Sequence, residues 1–264
     1  MPFPETEKFL YNKNPLDRVI CQLRFPPILR IDSEIPSVFQ DAVRENYPLY
    51  NENLTVQQEI PLGLNLPAPQ ELLRRLTRTA VNKNHEFSSE DGIWKISLNR
   101  NLFAITTTKY KRWSEFREKF LKPFEALVSV YKPPFFTRVG LRYIDVFDRS
   151  ILGLDNAAWC DLIKPPFIGL LSSEIKEEIK NFGSVYEITL EENVSTVRIS
   201  ASLVQQLPKN EQCFMVDSDF SSIKRISPDA TIQKLDYFSV QGARLIRFMI
   251  TDRLHNAMEP QTHG

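Results

Sequence analysis

Thr137-Arg138-Val139-Gly140-Leu141-Arg142-Tyr143-Ile144-Asp145-Val146 decides the fold class, because its residues alternate in character with a period of two. Successive side chains of an extended chain point to opposite faces, so Arg138, Gly140 and Arg142 share one face while Val139, Leu141 and Tyr143 take the other. A strand that is apolar on one side only belongs to a sheet with one covered face, which is the habit of antiparallel sheets. The same alternation recurs upstream in Arg18 to Phe25, and in a meander where Glu86-Phe87-Ser88, the turn signal Asp91-Gly92, Trp94-Ile96-Leu98 and Phe103-Ile105-Thr107 follow one another. Downstream it returns in Tyr186-Ile188-Leu190, in Val197-Ile199-Ala201-Leu203 after a turn at Glu192-Asn193, and in Cys213 to Phe220.

Helical spacing interrupts these strands. Ser33 reads as an N-cap for a helix reaching about Asn46. Trp113, Phe116, Phe120, Phe124, Leu127 and Tyr131 form a stripe that Pro123 is expected to kink or split and that Pro133-Pro134 ends. Ser227-Pro228 gives the N-cap and first residue of a long terminal helix carrying Ile232, Leu235, Leu245, Ile246, Met249, Ile250 and Leu254. Shorter helices are expected at Asn156–Leu162 and Glu174–Asn181. Residues Tyr47 to Pro69 read as an irregular connection with one strand near Leu54 to Ile60. The fold class is therefore α+β, antiparallel meanders with long helices packed on one side. The chain is expected to form a single unit, 1–264, with pseudo-halves 1–150 and 151–264, each a meander followed by a long helix. The Lys-Pro-Pro-Phe found at 132–135 and again at 164–167 is too short to establish a repeat.

Composition narrows the function classes. With 264 residues, 42% hydrophobic, the chain can bury a sizeable core, and 33 basic against 33 acidic residues leave no overall field to draw it to nucleic acid or an anionic membrane. No run approaches the roughly 20 apolar residues that span a bilayer, and the start lacks a signal-peptide pattern, so a cytoplasmic location is expected. Cys21, Cys160 and Cys213 are odd in number and far apart, which suits reduced core thiols. Three histidines and eight glycines are thin material for metal or phosphate chemistry, and no P-loop, dinucleotide fingerprint, nucleophile elbow or zincin helix is present. No catalytic residue, cofactor or metal site is assigned.

The best constellation is one of charges on polar strand faces: Arg24, Arg138, Arg142 and Arg198, with Asp217 and Asp219 two residues apart on a single face. Three chemistries compete for it. The residues pair across strands and fix register; the arginines bind an anionic ligand or an acidic protein segment; or the aspartates hold a divalent metal for phosphodiester hydrolysis, with Glu187, Asp145 and Lys95 as helpers. Cross-strand pairing is the favoured reading. A basic stretch, Lys109, Lys111, Arg112 and Arg117, is interleaved with Glu115 and Glu118 and reads first as a solvated helix face, second as a nucleic-acid contact. Arg74, Arg75 and Arg78 form a second basic group, and Glu174, Glu177, Glu178, Glu187, Glu191 and Glu192 a contrasting acidic region.

Asn14-Pro15-Leu16 with Cys21-Gln22-Leu23-Arg24-Phe25, then Asp91-Gly92-Ile93-Trp94 with Tyr110 and Trp113 to Phe116, then Thr137 to Ile144 and finally Ile250-Thr251-Asp252 occur in an order that resembles a sporadically distributed, uncharacterised family of prokaryotic proteins of similar length. The resemblance covers most of the chain and brings no established activity. Its patchy distribution implies, by analogy, mobile genes such as antiviral defence or toxin-antitoxin systems. The expectation is a non-enzymatic interaction protein, one component of a defence-like or regulatory complex, binding a protein partner, a second copy or an anionic ligand. A metal-dependent nuclease built on Asp217 and Asp219 is the alternative, and a nucleic-acid-binding module, not favoured, the second.

Overall fold

The computed structural model describes residues 2–57, 80–191, 194–206 and 211–262. It is an α+β fold with one nine-stranded, wholly antiparallel sheet and a separate two-stranded ribbon. The strands are β1 (Phe9–Tyr11), β2 (Leu16–Arg24), β3 (Leu49–Gln57), β4 (Ala80–Ser88), β5 (Trp94–Asn99), β6 (Leu102–Thr107), β7 (Arg138–Phe147), β8 (Gly183–Leu190), β9 (Ser195–Gln206), β10 (Glu211–Ser222) and β11 (Pro260–Thr262). In the large sheet the order is β3-β4-β5-β6-β2-β7-β10-β9-β8. That order is mirrored about the β2/β7 seam: on each side the first strand lies at the centre, its meander runs outward to inward, and a long helix follows. The arginine strand β7 is thus a central strand, paired to β2 and β10.

Both long helices cover the same face. Phe103, Leu23 and Val139 are register partners across β6, β2 and β7, all fully buried, and Phe120 of the helix Trp113–Tyr131 packs its ring 6.2 Å from that of Phe103. Tyr143, four residues along β7 and so on the same side, meets Gly242 of the helix Pro228–Met249. A Cβ on Gly242 would stand 2.8 Å from the Tyr143 ring, so the close approach of helix to strand requires glycine there. The opposite face carries Arg138, Gly140, Arg142, Asp217 and Asp219.

Several expected boundaries move. The helix Trp113–Tyr131 runs through Pro123 as one element. Proline lacks the N–H that would bond the carbonyl of Lys119, and the hydroxyl of Tyr47 donates to that carbonyl at 3.3 Å instead, which removes the main reason for a break. The expected helix from Ser33 is two short ones, Arg30–Ser33 and Ser37–Val43, the second capped by Pro36 and not by a Ser33 side chain. The connection after Tyr47 is a strand, β3, to Gln57, and the rest of it lies outside the described residues, as do Arg74, Arg75, Arg78 and the turn at Glu192-Asn193. Glu174–Asn181 forms only a single 3₁₀ turn, Lys176–Glu178, and Asn156–Leu162 is helical only over Trp159–Leu162. The terminal helix stops at Met249, where Ile250 bridges Ile163; Leu254 belongs to a separate helix, Asp252–Ala257, N-capped by Thr251. Ser227 does cap the long helix, accepting from the Ala230 amide. The three cysteines are free, Cys21 and Cys213 buried as expected and Cys160 only half-buried, with the Lys176 ammonium 3.8 Å from its sulfur.

Candidate functional site

Arg138 and Asp219 form a bidentate pair, Nη2 donating to both carboxylate oxygens at 2.6 and 2.7 Å, while Nη1 donates to Gln22 Oε1 at 2.8 Å. Arg142 donates through Nε to Asp217 Oδ1 at 2.7 Å and through Nη2 to Oδ2. The hydrogen bond to Asp217, set against partial burial, holds the Arg142 guanidinium above its usual range. The register explains the first pair. Asp219 lies opposite Arg142, four residues from Arg138, so the Arg138 side chain must lie along the strand to reach it. It does so over Gly140, where a Cβ would stand 2.2 Å from Nη1. Gly140 is buried beneath the guanidinium although it faces the open side. We predict that Gly140→Ala costs about 1 kcal/mol in the wild-type chain and nothing, or a small gain, in an Arg138→Ala background. A double-mutant cycle by urea denaturation measures it, and equal costs in both backgrounds would contradict the path over the glycine.

The other named charges are less engaged. Arg24 faces Arg138 across β2/β7, and Arg198 lies opposite Asp219 and Glu187, but no hydrogen bond or ion pair joins either side chain to another described residue. Among the described residues no cluster of three His, Cys, Asp or Glu side chains is placed to hold a metal, and both aspartates of the nuclease alternative face guanidinium groups. In the basic stretch, Arg112 pairs with Glu115 at 2.9 Å and Arg117 with Asp236 of the other long helix at 3.4 Å. Lys109 and Lys111 are exposed, and Lys111 and Arg112 stand at the rim of a cavity.

That cavity, of about 530 Å³, lies on the helix-covered side between β7, β10 and the middle of the helix Pro228–Met249. Ser239, Gly242 and Ala243 of the helix line it together with Tyr143, Asp145 and Ser218 of the strands. Tyr143 and Ser218 are direct register partners, and Asp145 follows Tyr143 on the same face. Asp145 is 4% exposed and, among the described residues, its carboxylate makes no hydrogen bond or ion pair. Burial raises its pKa to about 7. The Ser218 hydroxyl is also buried, with no hydrogen-bond partner among the described residues. Tyr110 closes one wall, its ring 5.9 Å from that of Tyr143 and edge-on to it; burial pushes both phenols far above their ordinary range. Asn14 ties this wall together, donating to the Tyr110 carbonyl at 3.0 Å and accepting from the Leu16 amide at 3.1 Å.

Residues Thr6–Tyr11 run across the cavity as a strap. The strap is fastened by the β1–β11 ribbon, by the hydrogen bond between Tyr11 Oη and His255 Nδ1 at 2.9 Å, and by the Lys13–Glu259 pair at 3.0 Å. Burial raises the Tyr11 phenol to about 12 and lowers His255, so both stay neutral near pH 7.

The charged residues that the sequence singled out lie on one face of β7, and the cavity lies on the other. A signal was present: the core-facing series Val139, Leu141, Tyr143, Asp145, Phe147 puts a carboxylate where an apolar residue is expected, and Ser218 breaks the series Phe214, Val216, Phe220 in the same way. A scan of known protein families and a search of curated proteins both find no match to the chain.

Proposed function

We propose that this chain is a small-molecule-binding protein whose ligand occupies the cavity between β7, β10 and the helix Pro228–Met249. The observation that carries the reading is the Asp145 carboxylate, buried at 4% exposure against a cavity and without a partner among the described residues. A folded chain keeps such a group at a cost to its own stability, and costly groups of this kind cluster where a ligand completes them. The cavity volume falls within the range of small-molecule sites, and its lining mixes aromatic and aliphatic side chains with polar and charged ones. Within the broader expectation of a regulatory or defence-like complex, this reading makes the chain the component that senses. The engaged pairs Arg138–Asp219 and Arg142–Asp217 then serve the sheet, and Arg24 and Arg198 remain the charges on that face for a protein partner.

A fragment screen read by thermal shift, with contacts mapped by NMR chemical shifts, tests this. Hits are expected to perturb Tyr143, Ser218 and Gly242 and to stabilise the protein by about 2.7 kcal/mol at a hundredfold excess over Kd. Val240→Trp, which places an indole in the cavity, is expected to abolish them. Hits that map elsewhere, or that survive Val240→Trp in a folded variant, would sink the reading.

A further inference from the structure

We infer that the ligand is an organic cation, an amine or amidine carried on an apolar or aromatic body, with Asp145 as its counter-ion. The inference rests on the cavity reading above and concerns what enters.

Charge balance is the first argument. Asp145 is shifted by burial alone, with no cation offsetting it. The basic residues around the cavity are committed or distant in function: Arg112 faces Glu115 at 2.9 Å, Arg244 faces Glu5 at 3.1 Å, and Lys8 and Lys111 are exposed at the rim. Among the described residues none of these cations forms an ion pair with Asp145. A ligand that brings a positive charge converts an isolated buried carboxylate into a hydrogen-bonded ion pair, which is the arrangement a buried charge requires.

The aromatic side chains of the walls point the same way. Phe9, Tyr11, Tyr110, Trp113 and Tyr143 all line the space. Aromatic faces attract cations through their quadrupoles, more strongly where water is excluded, and a carboxylate among aromatic rings selects organic ammonium or amidinium groups. A hard metal ion is a poor fit, since calcium or magnesium seeks six or more oxygen ligands and, among the described residues, the lining carries only the carboxylates of Glu7 and Asp145. The unpartnered Ser218 hydroxyl, register partner of Tyr143, adds one hydrogen-bonding atom beside the acid.

Matched fragment pairs decide it: benzamidine against benzamide, and phenethylamine against 2-phenylethanol, titrated by calorimetry and NMR at pH 8, where both bases stay protonated. The cationic member of each pair is expected to bind at least about tenfold more tightly than its neutral partner, and Asp145→Asn is expected to erase that preference. Neutral members that bind as tightly as the cations would overturn the cation assignment while leaving the cavity reading intact. If no member of either series perturbs Tyr143, Ser218 or Gly242 in the folded wild-type protein, the cation assignment fails, and if the wider fragment screen is silent there too, the cavity reading fails with it. A cationic preference that persists unchanged in Asp145→Asn would place the counter-charge elsewhere and would also overturn the inference.

Discussion

At pH 8 the Asp145→Asn variant is expected to be more stable than the wild-type chain by about 2–4 kcal/mol, and at pH 4 the two are expected to be nearly equal. The direction follows from where the proton sits. In the unfolded chain an aspartate releases its proton near 3.8, whereas in the folded protein burial holds it until about pH 7. Between these values the folded state binds more protons than the unfolded one, so unfolding free energy falls as pH rises and the loss is complete above about 7. The other shifted groups nearby do not confuse this window: the Tyr11, Tyr110 and Tyr143 phenols that line the cavity are all pushed upward by burial and stay neutral through it, and His255, bonded to Tyr11, is pushed downward and stays neutral through its upper part. Lys8, Lys111, Arg112, Arg244 and Glu7 also line the cavity. Urea denaturation of both proteins across this range measures the effect. A variant less stable than wild type at pH 8 would mean that the carboxylate already has a partner, and the functional reading of the cavity would lose its main support. A natural residue that lowers stability in this way is accounted for by use, because selection tolerates the cost where a ligand repairs it.

Phe238→Ala is expected to cost about 3–5 kcal/mol, the largest loss from a single truncation in the helix Pro228–Met249. Phe238 is fully buried, and its ring centroid lies 6.1 Å from that of Phe220 on β10, which in turn meets Tyr143 at 6.3 Å. The chain of three rings seats the helix on the sheet beside the cavity, so truncation leaves a void that the rigid strands cannot close. Phe248→Ala on the same helix makes the comparison. Its side chain is 39% exposed, and the expected loss is below about 1.5 kcal/mol. Equal losses at the two positions would show that the helix is not held at Phe238.

Phe238→Ala also separates stability from binding. The ring does not line the cavity, and a fragment that binds the wild-type protein is expected to raise the variant's denaturation midpoint by a similar free energy, provided the helix still docks.

The fold class was legible because two periods coexist cleanly in this chain. Val139, Leu141 and Tyr143 against Arg138, Gly140 and Arg142 could be assigned to faces before any pairing was known, and Phe116, Phe120, Phe124 and Leu127 could be assigned to a helix stripe. Element ends were less legible where long-range contacts set them. Pro123 suggested a break that Tyr47, 76 residues earlier in the chain, makes unnecessary by bonding the Lys119 carbonyl. Ile250 looked like part of the final helical stripe until its bridge to Ile163 ended the helix.

What the sequence determined by itself is which side of each strand and helix is apolar, since side-chain direction follows from local backbone geometry alone. From that came the antiparallel, one-side-covered sheet and the pairing of arginines with aspartates as the favoured fate of the charged face. Only the tertiary structure decided that Arg138 reaches Asp219 over Gly140, that Asp145 and Ser218 stand on the covered face beside a cavity, and that Gly242 lets the long helix approach Tyr143. The physical reason is register. Which residue of β7 lies opposite which residue of β10, and how closely the long helix settles on β7, depend on contacts between segments some 70 to 100 residues apart, and a local pattern carries no information about them.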